Sequence, residues 1–189
     1  MSVLKKVFSS YFPLSEYELG KIEPYFKPVS FSKGEFLSKE NSAVNQMLIV
    51  DEGCLRIYNF KDGKDITQWI TCSGELITDL AGFMFDLPGR WNIEFLTDCS
   101  GYLITKSQYK KLTNEIDNWS VIENKFIAKC FITLEDRVYS FLSMSAEERY
   151  EHFFKYRREI FNHVSQQYIA SLLGMTPETF SRIRKKHSS

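Results

Sequence analysis

Residues 165–187 read Ser165-Gln-Gln-Tyr-Ile-Ala-Ser-Leu-Leu-Gly-Met-Thr-Pro-Glu-Thr-Phe-Ser-Arg-Ile-Arg-Lys-Lys-His187. Ser165 is a favourable N-cap for a first helix, and Gly174 can adopt the left-handed conformation with which many helices end. Thr176 can cap a second helix, whose first position is then Pro177, where no backbone N–H is needed. The stretch therefore predicts two short helices joined by a tight turn.

The second of these helices has two different faces. Phe180 and Ile183 are three residues apart and are expected to point inward together. The outward face carries side chains that can contact nucleic acid, namely Glu178, Thr179, Ser181, Arg182 and Lys185. Arginine can donate two hydrogen bonds to guanine and glutamate can accept one from cytosine, so this is the layout of a helix-turn-helix that enters the DNA major groove. A helical hairpin with a solvated basic tail is the alternative interpretation.

Charge is balanced over the 189 residues, with 24 Lys or Arg and 24 Asp or Glu. From Ser145 to the end, however, eight basic residues stand against five acidic ones, and the first 144 residues carry the matching acidic excess. A weakly basic C-terminal part on a weakly acidic body predicts local contacts with phosphate groups rather than non-specific coating of DNA.

The four cysteines are widely separated and show no CxxC spacing: Cys54, Cys72, Cys99 and Cys130. We expect buried free thiols in a reducing compartment, and no metal or iron–sulfur centre is predicted from them. No segment approaches the roughly 18 consecutive apolar residues of a membrane span, and the N-terminus lacks the apolar core of a signal peptide. These features favour a cytoplasmic protein.

The N-terminal half changes from helical to extended character. The first 25 residues are predicted to be helical, with a capping box formed by Ser15 and Glu18. Five runs rich in β-branched and aromatic residues are the strand candidates, at 47–50, 54–58, 66–70, 93–96 and 102–104. Residues 61–63, Lys-Asp-Gly, form a hairpin turn signal. Strands at this spacing indicate a small antiparallel barrel or sandwich.

Helical periodicity takes over from about Ser107. Apolar residues then recur at steps of three and four: Trp119, Ile122, Phe126, Cys130, Leu134, Val138 and Phe141. A helix of about 24 residues would be about 36 Å long, more than so small a barrel can cover. Much of this stripe is expected to meet a second copy in a two-fold dimer, the alternative being packing within its own chain. Ser145 and Glu148 form a second capping box that starts a further helix.

A leading helix, a glycine-punctuated β-roll, a long helix and a terminal helix-turn-helix together resemble the Crp/Fnr superfamily of transcription regulators. The resemblance covers nearly the whole chain, and its sharpest part is 169–182, which ends in the family's Glu-x-x-Ser-Arg pattern. It implies an α+β fold in three parts: a cyclic-nucleotide-binding-like β-roll sensor at 1–114, a dimerisation helix at 115–143 and a helix-turn-helix DNA-binding domain at 144–189.

The resemblance also implies roles for individual residues. The side chains that would read bases are Glu178, Ser181 and Arg182. The side chains that would contact the DNA backbone are Ser165, Gln166, Thr176, Thr179 and Lys185. Family members commonly continue into a β-hairpin wing after this helix, whereas the sequence here runs only to Ser189. A truncated or absent wing is therefore expected, with weaker or more salt-sensitive DNA binding.

The sensor departs from the family pattern. In the family, a Gly-Glu-hydrophobic turn holds a ribose hydroxyl, and an Arg-Ser/Thr-Ala stretch about ten residues later holds the cyclic phosphate. The matching stretches here are 78–80 and 89–91, where Asp79 is one methylene shorter than Glu, Arg90 lies one residue late and Trp91 replaces a small residue. The expected effector pocket comprises Asp79, Leu80, Arg90 and Trp91. These departures argue against ordinary cyclic AMP as the effector. No cofactor is assigned with certainty, and a cyclic nucleotide stays open as a disfavoured ligand.

Other effectors are constrained by composition. All three histidines lie at or beyond His152, which excludes histidine ligation of a haem in the roll, and no cysteine cluster precedes Cys54. A small apolar or aromatic effector stays open because several aromatic residues lie near the pocket in sequence: Phe83, Phe85, Trp91 and Phe95. The alternative is that these aromatics are core packing and that the roll binds nothing.

These observations predict a homodimeric, sequence-specific transcription regulator that binds a palindromic operator in double-stranded DNA. RNA polymerase and a small-molecule effector stay open as further partners, and no membrane partner is expected. An enzyme is disfavoured because a cupin-like metal site has no imidazoles before His152 and no nucleophile–histidine arrangement stands out. The alternative function is a cyclic-nucleotide- or small-molecule-binding sensor module with weakened DNA binding.

Overall fold

A computed structural model describes residues 3–11, 14–117 and 119–187. Its helices are α1 (Val3–Tyr11), α2 (Glu16–Ile22), α3 (Leu80–Phe85), α4 (Lys106–Glu115), α5 (Trp119–Ser143), α6 (Ala146–Tyr156), α7 (Ile160–His163), α8 (Gln166–Leu172) and α9 (Pro177–His187). Its strands are β1 (Lys27–Phe31), β2 (Phe36–Ser38), β3 (Gln46–Glu52), β4 (Leu55–Lys61), β5 (Lys64–Thr71), β6 (Leu76–Ile77), β7 (Asn92–Phe95) and β8 (Cys99–Thr105). The predicted α+β class is confirmed.

The strands form two four-stranded antiparallel sheets, ordered β1-β8-β3-β6 and β2-β7-β4-β5. Side chains from both sheets share one core, in which Leu48, Leu55 and Phe95 are fully buried. All five predicted strands are present, and the Lys-Asp-Gly signal closes the β4–β5 hairpin with Asp62 and Gly63 both at positive φ. The structure thus has the predicted β-roll.

Three further strands were not anticipated from the sequence. β1 contains a proline, which weakens a strand pattern, and Pro28 is tolerated because β1 lies at the edge of its sheet. β2 and β6 are three and two residues long, too short to show a period. The roll is therefore larger than the sequence pattern indicates.

Helices cover the outer face of the β1-β8-β3-β6 sheet. The predicted Ser15–Glu18 capping box begins α2, and Leu19 and Ile22 are buried as expected. They pack in one cluster with residues of α1, α3 and α4 and with the first turn of α5, including Trp119. The helical prediction for the first 25 residues can be compared only over 3–11 and 14–25, since 1–2 and 12–13 lie outside the described residues.

Helix α5 has the predicted length, 25 residues, which corresponds to about 37 Å. Its first turns pack on the roll through Trp119 and Ile122. Further along, large apolar side chains are exposed at steps of three and four: Ile127, Phe131, Leu134, Val138 and Leu142. We call these five residues the α5 apolar face. Among the described residues, no helix combines the length and apolarity needed to cross a membrane.

The C-terminal helices form their own core. The Ser145–Glu148 capping box begins α6 as predicted, and α8 and α9 follow with a turn between them. Tyr150 of α6, Ile169 of α8 and Phe180 of α9 are buried together. The helix-turn-helix predicted from the sequence is therefore present.

The cysteine prediction is wrong for one pair, because Cys54 and Cys72 are joined by a disulfide. Leu55 pairs with Thr71 at the open end of the β4–β5 hairpin, so the residue before Leu55 lies opposite the residue after Thr71, with Cα atoms 4.3 Å apart. A sequence separation of 18 residues concealed this proximity. Cys99 and Cys130 are free thiols, the first buried and the second half-buried.

Candidate functional site

Helix α9 presents the predicted DNA-contacting residues on its solvent face. Phe180 and Ile183 are buried, whereas Glu178, Ser181 and Arg182 are exposed. Each of these three side chains is therefore accessible from solvent. The N-terminal end of α9 carries them, and in helix-turn-helix proteins this end contacts base edges.

The residues predicted to contact the DNA backbone lie around the two helix starts. The Ser165 hydroxyl accepts a hydrogen bond from the backbone N–H of Tyr168, and Gln166 is the exposed first residue of α8. The Thr176 hydroxyl accepts from the backbone N–H of Thr179 at 3.3 Å, which caps the start of α9. Lys185 is exposed on the last turn of α9.

Two features define the position and the charge of the exposed residues at the start of α9. Gly174, in the turn before α9, has φ +66°, and a Cβ there would lie 2.5 Å from the Phe141 ring, so both conformation and space require glycine. The backbone N–H of Glu178 and the hydroxyl of Thr176 hold the pKa of the Glu178 carboxyl below its ordinary value. Glu178 is thus an ionised acceptor at neutral pH.

The predicted effector residues line a cavity of about 550 Å³ between the roll and α5. Asp79, Leu80, Arg90 and Trp91 all contribute to its wall. A cavity of this volume is within the range that small-molecule sites occupy.

The Asp79 carboxylate accepts hydrogen bonds from the protein's own backbone. It caps α3, accepting from the backbone N–H of Gly82 at 3.2 Å. The same carboxylate accepts from the N–H groups of Arg90 at 2.6 Å and Trp91 at 3.1 Å. Asp79 is 2% exposed. The backbone donors that a phosphate would use at this turn are therefore already occupied by a carboxylate, which argues physically against a cyclic phosphate at this position.

The aromatic lining differs from the one expected from sequence. Phe83 and Phe95 are fully buried core residues, and Phe85 is exposed at the end of α3, so of the four expected aromatics only Trp91 lines the cavity. Sequence reasoning missed several lining residues: Trp69, Glu75, Phe126, Lys129, Arg137 and Arg157. Helical spacing could have placed the three α5 residues on one face, whereas only the tertiary fold brings the other three to it.

Two arginines at the cavity connect the roll and α5 with the C-terminal helices. Arg137 donates to the backbone carbonyl of Leu172 in α8 at 3.0 Å, and burial lowers the pKa of its guanidinium to about 10. Arg157, at the end of α6, pairs with Glu75 at 2.9 Å and donates to the carbonyl of Ile70 at 3.3 Å. Burial raises the pKa of the Glu75 carboxyl, and the nearby positive charge of Arg157 offsets only part of this increase. The cavity wall is thus continuous with the attachment of the helix-turn-helix.

The β4–β5 hairpin forms a second attachment. The Ser171 hydroxyl of α8 accepts from the N–H of Thr67 at 2.9 Å and donates to the carbonyl of Asp65 at 3.2 Å. Arg56 lies between the rings of Tyr58 and Tyr168, at 3.7 and 3.8 Å from their centroids. Its guanidinium also pairs with Asp65 at 2.9 Å. The first helix of the helix-turn-helix is therefore packed directly on the roll.

One group of side chains has the composition of a cation site. Potential ligand atoms of Glu147, Glu151 and His187 lie within 4.8 Å of one another. Lys186 already pairs with Glu147 at 2.6 Å, and His187 contacts both carboxylates. These contacts hold the end of α9 against α6 without a metal.

Comparison with known proteins identifies the fold. Residues 28–115 match the family model of the cyclic nucleotide-binding domain. FixK2 from Bradyrhizobium japonicum superposes with a TM-score of 0.68 at 22% identity, over 85% of this chain and 83% of that chain. A protein described as a Crp/Fnr-family transcriptional regulator from Eubacterium rectale gives 0.68 at 20% identity, over 95% and 88%.

A CooA variant from Carboxydothermus hydrogenoformans gives a TM-score of 0.67 at 16% identity, over 100% of this chain and 84% of that chain. No curated protein sequence gives a significant match. The chain therefore shares the fold of these solved structures, one of which is described as a Crp/Fnr-family regulator, and its residues 28–115 match the model of the cyclic nucleotide-binding domain.

Proposed function

We propose that the protein is a sequence-specific DNA-binding transcription regulator of the Crp/Fnr type. The observation that carries this proposal is the exposure of Glu178, Ser181 and Arg182 together on one face of α9, at its N-terminal end. These are residue types that read base edges in the major groove. In this proposal 1–114 is the sensor, 115–143 the dimerisation helix and 144–189 the DNA-binding domain.

The protein acts as a homodimer in this proposal. The α5 apolar face is a continuous row of exposed large side chains along a helix, and a second copy of the same helix would cover it in a two-fold arrangement. Two copies of α9 would then enter successive major grooves of a palindrome, with half-sites about one helical turn apart.

The test is Arg182→Ala, measured on a duplex first selected by the wild-type protein from a random DNA pool. We expect about 10- to 100-fold weaker binding to the selected duplex and little change on a scrambled one, because a base-reading arginine contributes about 1–3 kcal/mol of discrimination. Arg158→Ala removes one exposed cation from the same domain away from α9 and serves as the control. Equal losses on both duplexes, or equal losses in both variants, would contradict the assignment.

A second candidate is a sensor module that binds a cyclic nucleotide or another small molecule and has weakened DNA binding, and the cavity of about 550 Å³ favours a ligand. Cyclic AMP and cyclic GMP are the first compounds to exclude by calorimetry. We expect neither to bind at micromolar concentration, because Asp79 occupies the backbone donors of the phosphate turn. Micromolar binding of either would show that this carboxylate is displaced by ligand.

A further inference from the structure

We infer that the cavity between the roll and α5 takes a small organic anion with an apolar or aromatic body, held by Arg137 and Arg157, and that this ligand loosens the helix-turn-helix from the roll. The ligand class rests on the cavity alone. The effect on DNA rests on the proposed function.

The charges at the cavity favour an anion. Its wall carries four cationic side chains, Arg90, Lys129, Arg137 and Arg157, against two carboxylates, Glu75 and Asp79. Both carboxylates already have partners, since Asp79 accepts three backbone hydrogen bonds and Glu75 pairs with Arg157. The wall therefore holds more cationic than anionic side chains.

Arg137 is the centre of this excess. It has no carboxylate partner among the described residues, and its one protein hydrogen bond there goes to the Leu172 carbonyl. A guanidinium offers five N–H donors in a planar fork that matches a carboxylate, sulfonate or phosphate. Burial has already removed part of its hydration, so an anion can bind it without first displacing that water.

The rest of the wall selects for an apolar body. Trp69, Trp91 and Phe126 contribute aromatic rings, and Ile57 and Leu76 contribute aliphatic surface. The anionic group is directed to the arginines rather than to the turn at Arg90, because Asp79 occupies the N–H donors of that turn. The ligand is therefore an amphipathic acid and not a highly charged phosphate ester.

The contacts that the anion would take are the ones that attach the helix-turn-helix. Arg157 uses its guanidinium for Glu75, Glu159 and the Ile70 carbonyl. Arg137 uses its guanidinium for the Leu172 carbonyl. A bound anion competes with Glu75 for Arg157 and with Leu172 for Arg137. Occupation of the cavity thereby weakens the hold of the roll on α6 and α8.

The test compares two fluorescent probes of nearly equal shape, the anion anilinonaphthalene sulfonate and its uncharged counterpart N-phenylnaphthylamine. Arg137→Gln should weaken binding of the anion about tenfold or more, the cost of one charged hydrogen-bonded contact, and change that of the neutral probe little. Lys125→Gln removes an exposed cation of the same helix outside the cavity wall and should affect neither probe.

Glu75→Gln removes the carboxylate that competes with the bound anion for Arg157. This variant keeps the proposal testable if Arg137→Gln fails to fold. Removal of the carboxylate leaves Arg157 without its ion-pair partner at the cavity, so the anion should bind several-fold more tightly while the neutral probe does not. The inference is overturned if Glu75→Gln leaves anion binding unchanged, or if Arg137→Gln and Lys125→Gln weaken it equally.

Titration of the selected DNA duplex with and without the anionic probe separates the two proposals. DNA affinity that changes in the wild type and not in Arg137→Gln supports the coupling. Selective DNA binding without arginine-dependent anion binding overturns the ligand class and leaves the proposed function standing. Anion binding in a protein that selects no DNA supports the ligand class and overturns the function.

Discussion

Asp79 shows how one residue can decide what a site excludes. The sequence comparison identified it as a shortened version of the family's glutamate, and the structure gives it a different task. Its carboxylate caps α3 and accepts from the backbone N–H groups of Arg90 and Trp91. The shorter side chain thus bonds the turn at Arg90 and Trp91 to the start of α3. This consequence of replacing glutamate by aspartate is apparent only in the folded protein.

Asp79→Ala should lower the free energy of unfolding by about 2–3 kcal/mol. The variant loses a helix cap and leaves buried backbone donors without an acceptor. Urea unfolding measures the change. Asp51→Ala serves as the control because the Asp51 carboxylate makes no hydrogen bond or ion pair with the described residues. Equal stability of the two variants would show that the Asp79 contacts contribute nothing measurable.

At the scale of elements, local chemistry accounts for most of what could be predicted. Capping boxes begin α2 and α6 at the predicted residues, and the turn signal at Asp62 and Gly63 closes the β4–β5 hairpin. Short elements such as β6 and α3 were missed because two to six residues carry too little pattern. The pairing of Cys54 with Cys72 follows from hairpin register, which the spacing of cysteines does not reveal.

Reduction of the Cys54–Cys72 disulfide should lower the free energy of unfolding by about 2–3 kcal/mol. The bond closes a loop across 18 residues and restricts the unfolded chain. Thiol titration of the denatured, oxidised protein should count two thiols, rising to four after reduction. Cys130→Ser, which leaves the bond intact, is the control for the unfolding measurement, and four thiols before reduction would contradict the pairing.

The whole molecule places a sensor-like roll, a long helix and a helix-turn-helix in contact. Helix α5 connects the two ends, because its first turns pack on the roll while Arg137 bonds to α8. The α5 apolar face is left uncovered within one chain. Burial of such a surface is favourable, so the arrangement of the whole chain supports association of two copies.

Phe131→Glu should weaken dimerisation at least about 100-fold, because a two-fold contact would bury two unpaired carboxylates. Phe131 is 59% exposed on the α5 apolar face and does not line the cavity. Sedimentation equilibrium measures the association, and Phe60→Glu, at a residue 63% exposed on the β4–β5 hairpin, is the matched control. A Phe131→Glu protein that associates as the wild type does would exclude this face as the dimer contact.

The sequence by itself determined the helix caps, the turn chemistry, the hairpin and the amphipathic helices, because each depends on residues within a few positions of one another. It also indicated which face of α9 is exposed, since helical periodicity separates Phe180 and Ile183 from Arg182. Predictions of this kind need no knowledge of the rest of the chain.

Only the tertiary structure decided the composition of the cavity and its link to the helix-turn-helix. Arg157 and Glu75 are 82 positions apart, and Ser171 reaches Thr67 across 104. Such contacts depend on how the roll, α5 and the C-terminal helices pack, and packing is set by the summed burial of many side chains rather than by a local pattern. Lining residues such as Glu75 and Arg157 are therefore identified only in the folded molecule, whereas Asp79 and Arg90 could be predicted from the sequence.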